Sequence, residues 1–423
     1  MWLSISIALQ FCYGLQINEY QFEKVLIMAA SSRGEEEKSS SEELRAKIAP
    51  SWLPGAAAIN EAFYWPEELP RPKVSLRSAL LVGADEALTV GLGLASRMRF
   101  ATPSFRQRST QEMEDALEYF QDSGWIKNPQ GYHLKPPALE KVLFKKSSSR
   151  GTDFEHMTFE GGYVPRMGEA GRARWLGYEN NQTSHCWVLR HKGPQRPWMI
   201  HIHGYRMGTP FLDFSAFNTS YIHEEKGFNV LHYVLPLHGP RKVGPTSGDA
   251  LLSPGYVNAI HAEAQAMFEL RRIIDWLRRD GASQIGVHGI SLGGFTTALL
   301  ATLEGNLSCV IAGIPAVELV KAARRLGRRN LLYFFDNINM PWDEIEQMAR
   351  VISPLAMKPK VPKKGRYIYA GLLDRLVRPS EPLGLWEHWG KPEIEWYQGN
   401  HMTFARNKNV RAFIDSALDA SFD

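Results

Sequence analysis

The sequence predicts an α/β fold, a mostly parallel central sheet flanked by helices, with a mainly helical extension ahead of it. Three observations carry the prediction. Short strand-like runs recur at 186–190, 198–203, 229–234, 284–288, 309–314, 366–370 and 393–397. Several are near-continuously apolar, as parallel strands buried on both faces require. Helical patterns lie between them, and that alternation builds a parallel sheet with covered faces.

The 423 residues suit one large domain plus an extension, and a 44% hydrophobic, 22% charged composition supplies a full core. A net charge of +4 is too small to point to a nucleic-acid partner. The densest basic run, 321–329, has no aromatic residue for base stacking and reads as a solvated helix face. Cys12, Cys186 and Cys309 form neither a metal-ligand spacing nor a disulfide framework. Cys186 and Cys309 fall in strand-like segments and read as buried thiols. A cytoplasmic location is the expectation. Secretion is the alternative, because 2–14 is apolar, although no Lys or Arg precedes it and Gln10 interrupts it.

Residues 1–47 read as a leader or upstream extension followed by a tether: Met28 opens a more typical start, and 31–47 is rich in Ser, Glu and Lys. The region 48–150 reads as mainly helical. Its apolar stretch at 76–95 is interrupted by Arg77, Asp85 and Glu86, so it is expected to be a buried helix and not a membrane span. Ser109 to Glu112 fits a capping box with Ser109 as N-cap, Met113, Leu117 and Phe120 share a face, and Gly124 is a stop. No catalytic constellation is visible in this region.

Residues 151–423 read as the catalytic domain. A long helix at 259–279 places Met267, Leu270, Ile274 and Leu277 at helical spacing, with Gly281 as its stop. The segment 330–354, with Tyr333, Phe334, Phe335, Met340 and Trp342, is either a lid over the site or a surface helix with an aromatic underside.

The chemistry centres on Gly289-Ile290-Ser291-Leu292-Gly293, set between a strand-like run and a helical one. A hydroxyl on a tight strand-to-helix turn is exposed, and the helix N-terminus faces the charge that develops on attack. The bland alternative is a Gly-rich turn with a capping serine. An oxyanion hole needs two backbone N–H groups aimed at one point. Leu292 and Tyr205, the latter in the loop after the strand ending at His203-Gly204, are the candidates; His203 itself reads as a structural residue that shapes the loop.

A serine hydroxyl needs a base, and among 13 histidines His401 is preferred because it opens the loop after the last strand-like run. His288 is expected to be fixed in or under its strand, and His238 to sit in a loop near the site. Asp374, just past the strand-like run 366–370, is the carboxylate that would hold the histidine in one tautomer, with Glu381 in reserve.

The order Ser291, Asp374, His401, together with His203-Gly204 and the turn at Gly289 to Gly293, resembles the α/β-hydrolase superfamily over roughly the last three-fifths of the chain. Leu235-Pro236-Leu237-His238-Gly239-Pro240-Arg241, the turn through Gly294 and the helical extension are similar to the group of abhydrolase domain-containing protein 18. The expectation is a serine hydrolase that cleaves carboxylic esters of a small-molecule acyl substrate through an acyl-enzyme, with no metal or organic cofactor. A peptidase or thioesterase with the same triad, and a non-catalytic binding protein on the same fold, are the alternatives. Dehalogenase chemistry is disfavoured, since it would place a carboxylate where Ser291 stands.

Overall fold

The computed structural model describes residues 68–73, 75–97, 103–251, 256–322 and 340–422. Glu67–Asp423 forms one compact unit, distinct from Met1–Pro66. The expected leader and tether at 1–47, Cys12, most of the basic run at 321–329 and the aromatic cluster Tyr333 to Phe335 lie outside the described residues.

Nine strands form one sheet: β1 (Leu143–Ser149), β2 (Thr152–Glu160), β3 (Thr183–Leu189), β4 (Trp198–Ile202), β5 (Asn229–Tyr233), β6 (Ile285–Ile290), β7 (Cys309–Gly313), β8 (Arg366–Gly371) and β9 (Glu393–Tyr397). Their spatial order is β1-β2-β3-β5-β4-β6-β7-β8-β9. The run β5-β4-β6-β7-β8-β9 is parallel throughout, and β1, β2 and β3 add an antiparallel flank. The described α-helices are α1 (Leu76–Arg97), α2 (Pro103–Asp122), α3 (Arg172–Leu176), α4 (Pro210–Ala216), α5 (Val257–Arg279), α6 (Leu292–Leu303), α7 (Trp342–Ala349), α8 (Ser380–His388) and α9 (Lys408–Phe422).

All seven expected strands are present. β1 and β2 are the additions. β1 starts ahead of the boundary drawn at 151 and pairs with β2 as a hairpin, so residues before 151 contribute to the sheet and not to helices alone. Its sequence, Leu-Phe-Lys-Lys-Ser-Ser-Ser, is mostly exposed and polar, which is how an edge strand avoids pairing with other chains but which leaves no apolar alternation to read.

Apolar residues alternate across the sheet into two cores. Ile285 and Val287 of β6 face the core shared with α2, α5, α6 and α7. Ile290 faces the other, with Val410, Ala417 and Leu418 of α9. Trp342–Ala349, the described helix of the expected lid, tucks Ile345 and Met348 into the first core and reaches α2 through a Gln347–Gln121 hydrogen bond of 3.4 Å. This portion is therefore a surface helix with an apolar underside.

Two local expectations are corrected. Ser109 is not an N-cap: α2 begins at Pro103 and Ser109 lies buried inside it. Proline's fixed φ and missing N–H suit the first helical position, so the helix extends back to it. The stop at Gly124 holds, with φ +73°. The first half of the helix that begins at Leu76 is not buried, since Leu76 and Leu80 are 79% and 66% exposed. It lies on the surface and turns Asp85, which has no exposed area, inward. No described helix is long and apolar enough to cross a membrane.

Candidate active site

The parallel register brings the carboxyl ends of β4, β6, β8 and β9 to one edge of the sheet. β6 ends at Ile290, and Ser291 turns the chain into α6 with φ 56° and ψ −114°. A non-glycine residue at positive φ costs energy and persists only where its surroundings impose it. Here glycines make the turn possible. A Cβ on Gly289 would fall on the backbone of Gly293, and one on Gly293 would fall on the Ile202 carbonyl at the end of β4. The pentapeptide thus needs glycine at both flanks for close packing.

His401 follows β9 and Asp374 follows β8. The imidazole Nε2 lies 3.0 Å from the Ser291 Oγ, and the Nδ1 lies 2.7 Å from Asp374 Oδ2. With Nδ1–H donating to the carboxylate, Nε2 is free to accept from the hydroxyl. Asp374 Oδ1 accepts the backbone N–H groups of Leu376 and Val377, both at 2.9 Å, which fixes the acid in its own turn. The three expected side chains therefore meet, although 110 residues separate the serine from the histidine. Burial pulls the His401 pKa down, but Asp374, by charge and hydrogen bond, then Asp85 and Glu381, push it up, and the net effect is upward.

Glu381, the reserve carboxylate, accepts the Glu318 backbone N–H at 3.3 Å, whereas it is Asp374 that bonds the imidazole. His203 ties two loops together. Its Nε2 accepts the Leu235 N–H at 3.1 Å, so its Nδ1–H donates to the Gly204 carbonyl at 2.8 Å. His288 is buried and bonds the Tyr369 hydroxyl at 3.0 Å, and burial pulls its pKa to about 3. His238 is likewise buried against the Pro236 carbonyl at 2.9 Å, with its pKa drawn to about 4, first by burial. Each ring bonds a partner other than Ser291, whereas His401 lies within hydrogen-bond reach of the hydroxyl.

Leu292 is the first residue of α6, so its N–H has no partner within the helix. Gly204 lies beside the nucleophile, with a Cβ there 3.4 Å from the Ser291 Cβ. Tyr205 is the next residue along that loop. Cys186 and Cys309 are buried and unbridged, and burial pushes both thiols up, away from reactivity.

One residue of the site escaped sequence reasoning. Asp85 of α1 accepts the His401 backbone N–H at 3.1 Å, from a region expected to hold no catalytic partner. The available signal was a carboxylate inside an otherwise apolar helical run, which sequence alone reads as an interruption.

No family model matches the chain. The uncharacterized protein MT2702 of Mycobacterium tuberculosis (strain CDC 1551 / Oshkosh) is 38% identical over 358 residues, covering 84% of this chain and 85% of that protein. The uncharacterized protein Rv2627c of M. tuberculosis (strain ATCC 25618 / H37Rv) matches with the same identity and coverage. The chain belongs to the family of these two mycobacterial proteins. Among solved structures, acetyl xylan esterase 1 from Thermoanaerobacterium sp. JW/SL YS485 superposes with a TM-score of 0.50 at 16% identity, over 70% of this chain and 93% of that one. Together with the strand order, that likeness establishes the α/β-hydrolase fold.

Proposed function

We propose that this protein is a serine hydrolase that cleaves carboxylic esters of small acyl substrates. One observation supports the reading above all others: the unbroken hydrogen-bond chain from Ser291 Oγ through His401 to Asp374, at 3.0 and 2.7 Å. In this reading His401 takes the Ser291 proton as the oxygen attacks the acyl carbon. The N–H groups of Leu292 and Tyr205 hold the oxyanion. The imidazolium then protonates the departing alkoxide, an acyl-serine remains, and His401 activates a water that releases the acid and restores the hydroxyl. Asp374 keeps the imidazole in the tautomer that leaves Nε2 open. Every proton is carried by His401, so the cycle calls for no metal or organic cofactor.

Esters are preferred because an alkoxide leaving group demands less of the acid than an amine does. We further place the chain with the group of abhydrolase domain-containing protein 18. That reading rests on the similarity of the segment Leu235 to Arg241, of the turn through Gly294 and of the helical extension.

A fluorophosphonate probe tests the reading, because it marks only an activated serine. Labelling of the wild-type protein at Ser291, absent from Ser291→Ala, is the expected result. Equal labelling of both proteins, or none of the wild type, overturns it. A series of p-nitrophenyl acyl esters of graded chain length, with thioester and anilide analogues, then ranks the acyl group and the leaving group.

A further inference from the structure

The strand-end loops that hold the acid and the base are both tied to a helix that precedes the sheet in sequence. Asp85 lies ten residues into α1 and has no exposed surface. Its Oδ2 accepts two backbone N–H groups, from His401 and from Arg375, each at 3.1 Å. Arg375 directly follows Asp374. One buried carboxylate oxygen therefore joins the loop of the base to the loop of the acid. Three neighbouring contacts hold the helix there. The Leu81 carbonyl accepts the Asn400 side-chain amide at 3.0 Å, Glu86 pairs with Arg375 at 3.3 Å, and the Lys73 N–H donates to Gln398 at 2.9 Å.

Aspartate is a weak helix former and is rarely buried without cause. Here its oxygen bonds across the interface to the two loops. We propose that Asp85 is a positioning residue for the triad: it fixes the His401 backbone against the Asp374 loop and adds a second negative charge behind the imidazole. The inference rests on Ser291, His401 and Asp374 being the working groups.

The charged and titratable groups around this point are few. Asp374 bonds the imidazole, and its charge, with those of Asp85 and Glu381, favours the protonated form. Asp85 in turn meets Asp374 and His401, and the buried Tyr397 phenol senses it too. Arg375 and Glu86 pair on the more exposed side of the loop. Burial pushes the Asp85 carboxyl up, and the two N–H bonds pull it back. An ionised Asp85 raises the His401 pKa, so removing that charge lowers it.

Asp85→Asn is nearly isosteric, keeps an oxygen for the two N–H groups and deletes the charge. Asp85→Glu keeps the charge and displaces it. The His401 titration is read by NMR of the labelled imidazole, and the Ser291 reaction rate by fluorophosphonate labelling across pH. Asp85→Asn is expected to lower the His401 pKa by about half a unit or more, and to move the acid limb of labelling down with it. Asp85→Glu is expected to hold the pKa but slow labelling at its plateau by roughly tenfold, because the loops are misaligned. Arg77→Gln, on an exposed position of the same helix, should leave both unchanged.

Folded Asp85→Asn protein with the wild-type His401 pKa and plateau rate overturns the proposal. Should that variant not fold, Asp85→Glu labelling at the wild-type rate does so instead. A wild-type Ser291 that takes no probe defeats the hydrolase reading. The NMR titration still reports the coupling of Asp85 to His401 in that case, so the two failures are distinguishable.

Discussion

Among the described residues, the buried charge cluster at Ser291 and the one at Glu269 are built on opposite principles. At the carboxyl ends of β6, β8 and β9, His401 bridges Asp374 and Ser291, and the chain ends on a hydroxyl held by a strained backbone. Between β5 and α5, Glu269 is satisfied on every side. It accepts Arg241 through two nitrogens at 2.7 and 2.8 Å, Tyr233 at 2.7 Å and Gln265 at 2.7 Å. Both side chains of that ion pair have no exposed area. The Glu269 carboxylate has its oxygens engaged by protein donors, and so it holds structure. The first keeps one group poised for an outside atom, and so it can do chemistry at some cost in stability.

The comparison can be broken from either side. The largest effect expected is on turnover. Ser291→Ala should lower kcat for a p-nitrophenyl ester by on the order of 10⁴-fold or more, leaving only the help given by binding and oxyanion contacts. Its melting temperature should not fall, and a clear fall would mean that the serine is structural. The mirror experiment is Arg241→Met, which leaves Glu269 buried without its cation. A loss of about 3–5 kcal/mol in denaturant unfolding is expected, since a buried charge is left unpaired. The protein that remains folded should keep wild-type kcat/KM; a proportional loss of kcat/KM would show that the two clusters are coupled.

The next effect is graded. His401 must be neutral to act, and its pKa is raised above the ordinary 6.5. The acid limb of kcat/KM should therefore lie above that value, with activity falling about tenfold for each pH unit below it. A limb below 6.5 would contradict the net upward shift. Glu263 offers a finer contrast, because it shares α5 with Glu269 but has only the Thr296 hydroxyl at 3.1 Å as a bonded partner on one oxygen. Its other oxygen is buried without a hydrogen bond among the described residues. Burial pushes its pKa from 4.5 to about 8. Between those values the native state holds a proton that the unfolded chain has lost, so its contribution to stability fades as pH rises. Glu263→Gln should match the wild type in melting temperature near the acid end of that window and exceed it near pH 8. A parallel pair of curves would refute the assignment. Smallest of all, Asp275→Asn removes a half-exposed pair with Arg279 and should change stability by less than about 0.5 kcal/mol.

The catalytic candidates were legible because each sits in a sequence pattern with a mechanical cause. Ser291 lies between glycines that permit the turn, and Asp374 and His401 follow strand-like runs whose ends converge in a parallel sheet. The parallel strands were legible for the same reason, as apolar runs separated by helical periods. Three features were not. β1 reads as a polar, lysine-rich stretch because it is an edge strand. Ser109 reads as a cap because the motif is complete, yet α2 already starts at Pro103. The burial of polar residues of α5, among them Asn258, Glu263, Gln265 and Glu269, leaves no mark in its helical period. Several segments cover them: Trp175 and Asn181 donate to Gln265 at 2.9 and 3.2 Å, and Thr296 of α6 meets Glu263 at 3.1 Å.

By itself the sequence determined the fold class, the turn that carries Ser291 and the identity of the two residues that join it. These depend on periodicity and on residues adjacent in the chain, which a linear reading contains. The tertiary structure alone decided which polar groups are buried, which carboxylate pairs with which donor, and that a helix far upstream sends Asp85 to the backbone of His401. Those outcomes depend on segments some three hundred residues apart coming together, as the 316-residue separation of that hydrogen bond records. A local pattern carries no trace of what folds against it.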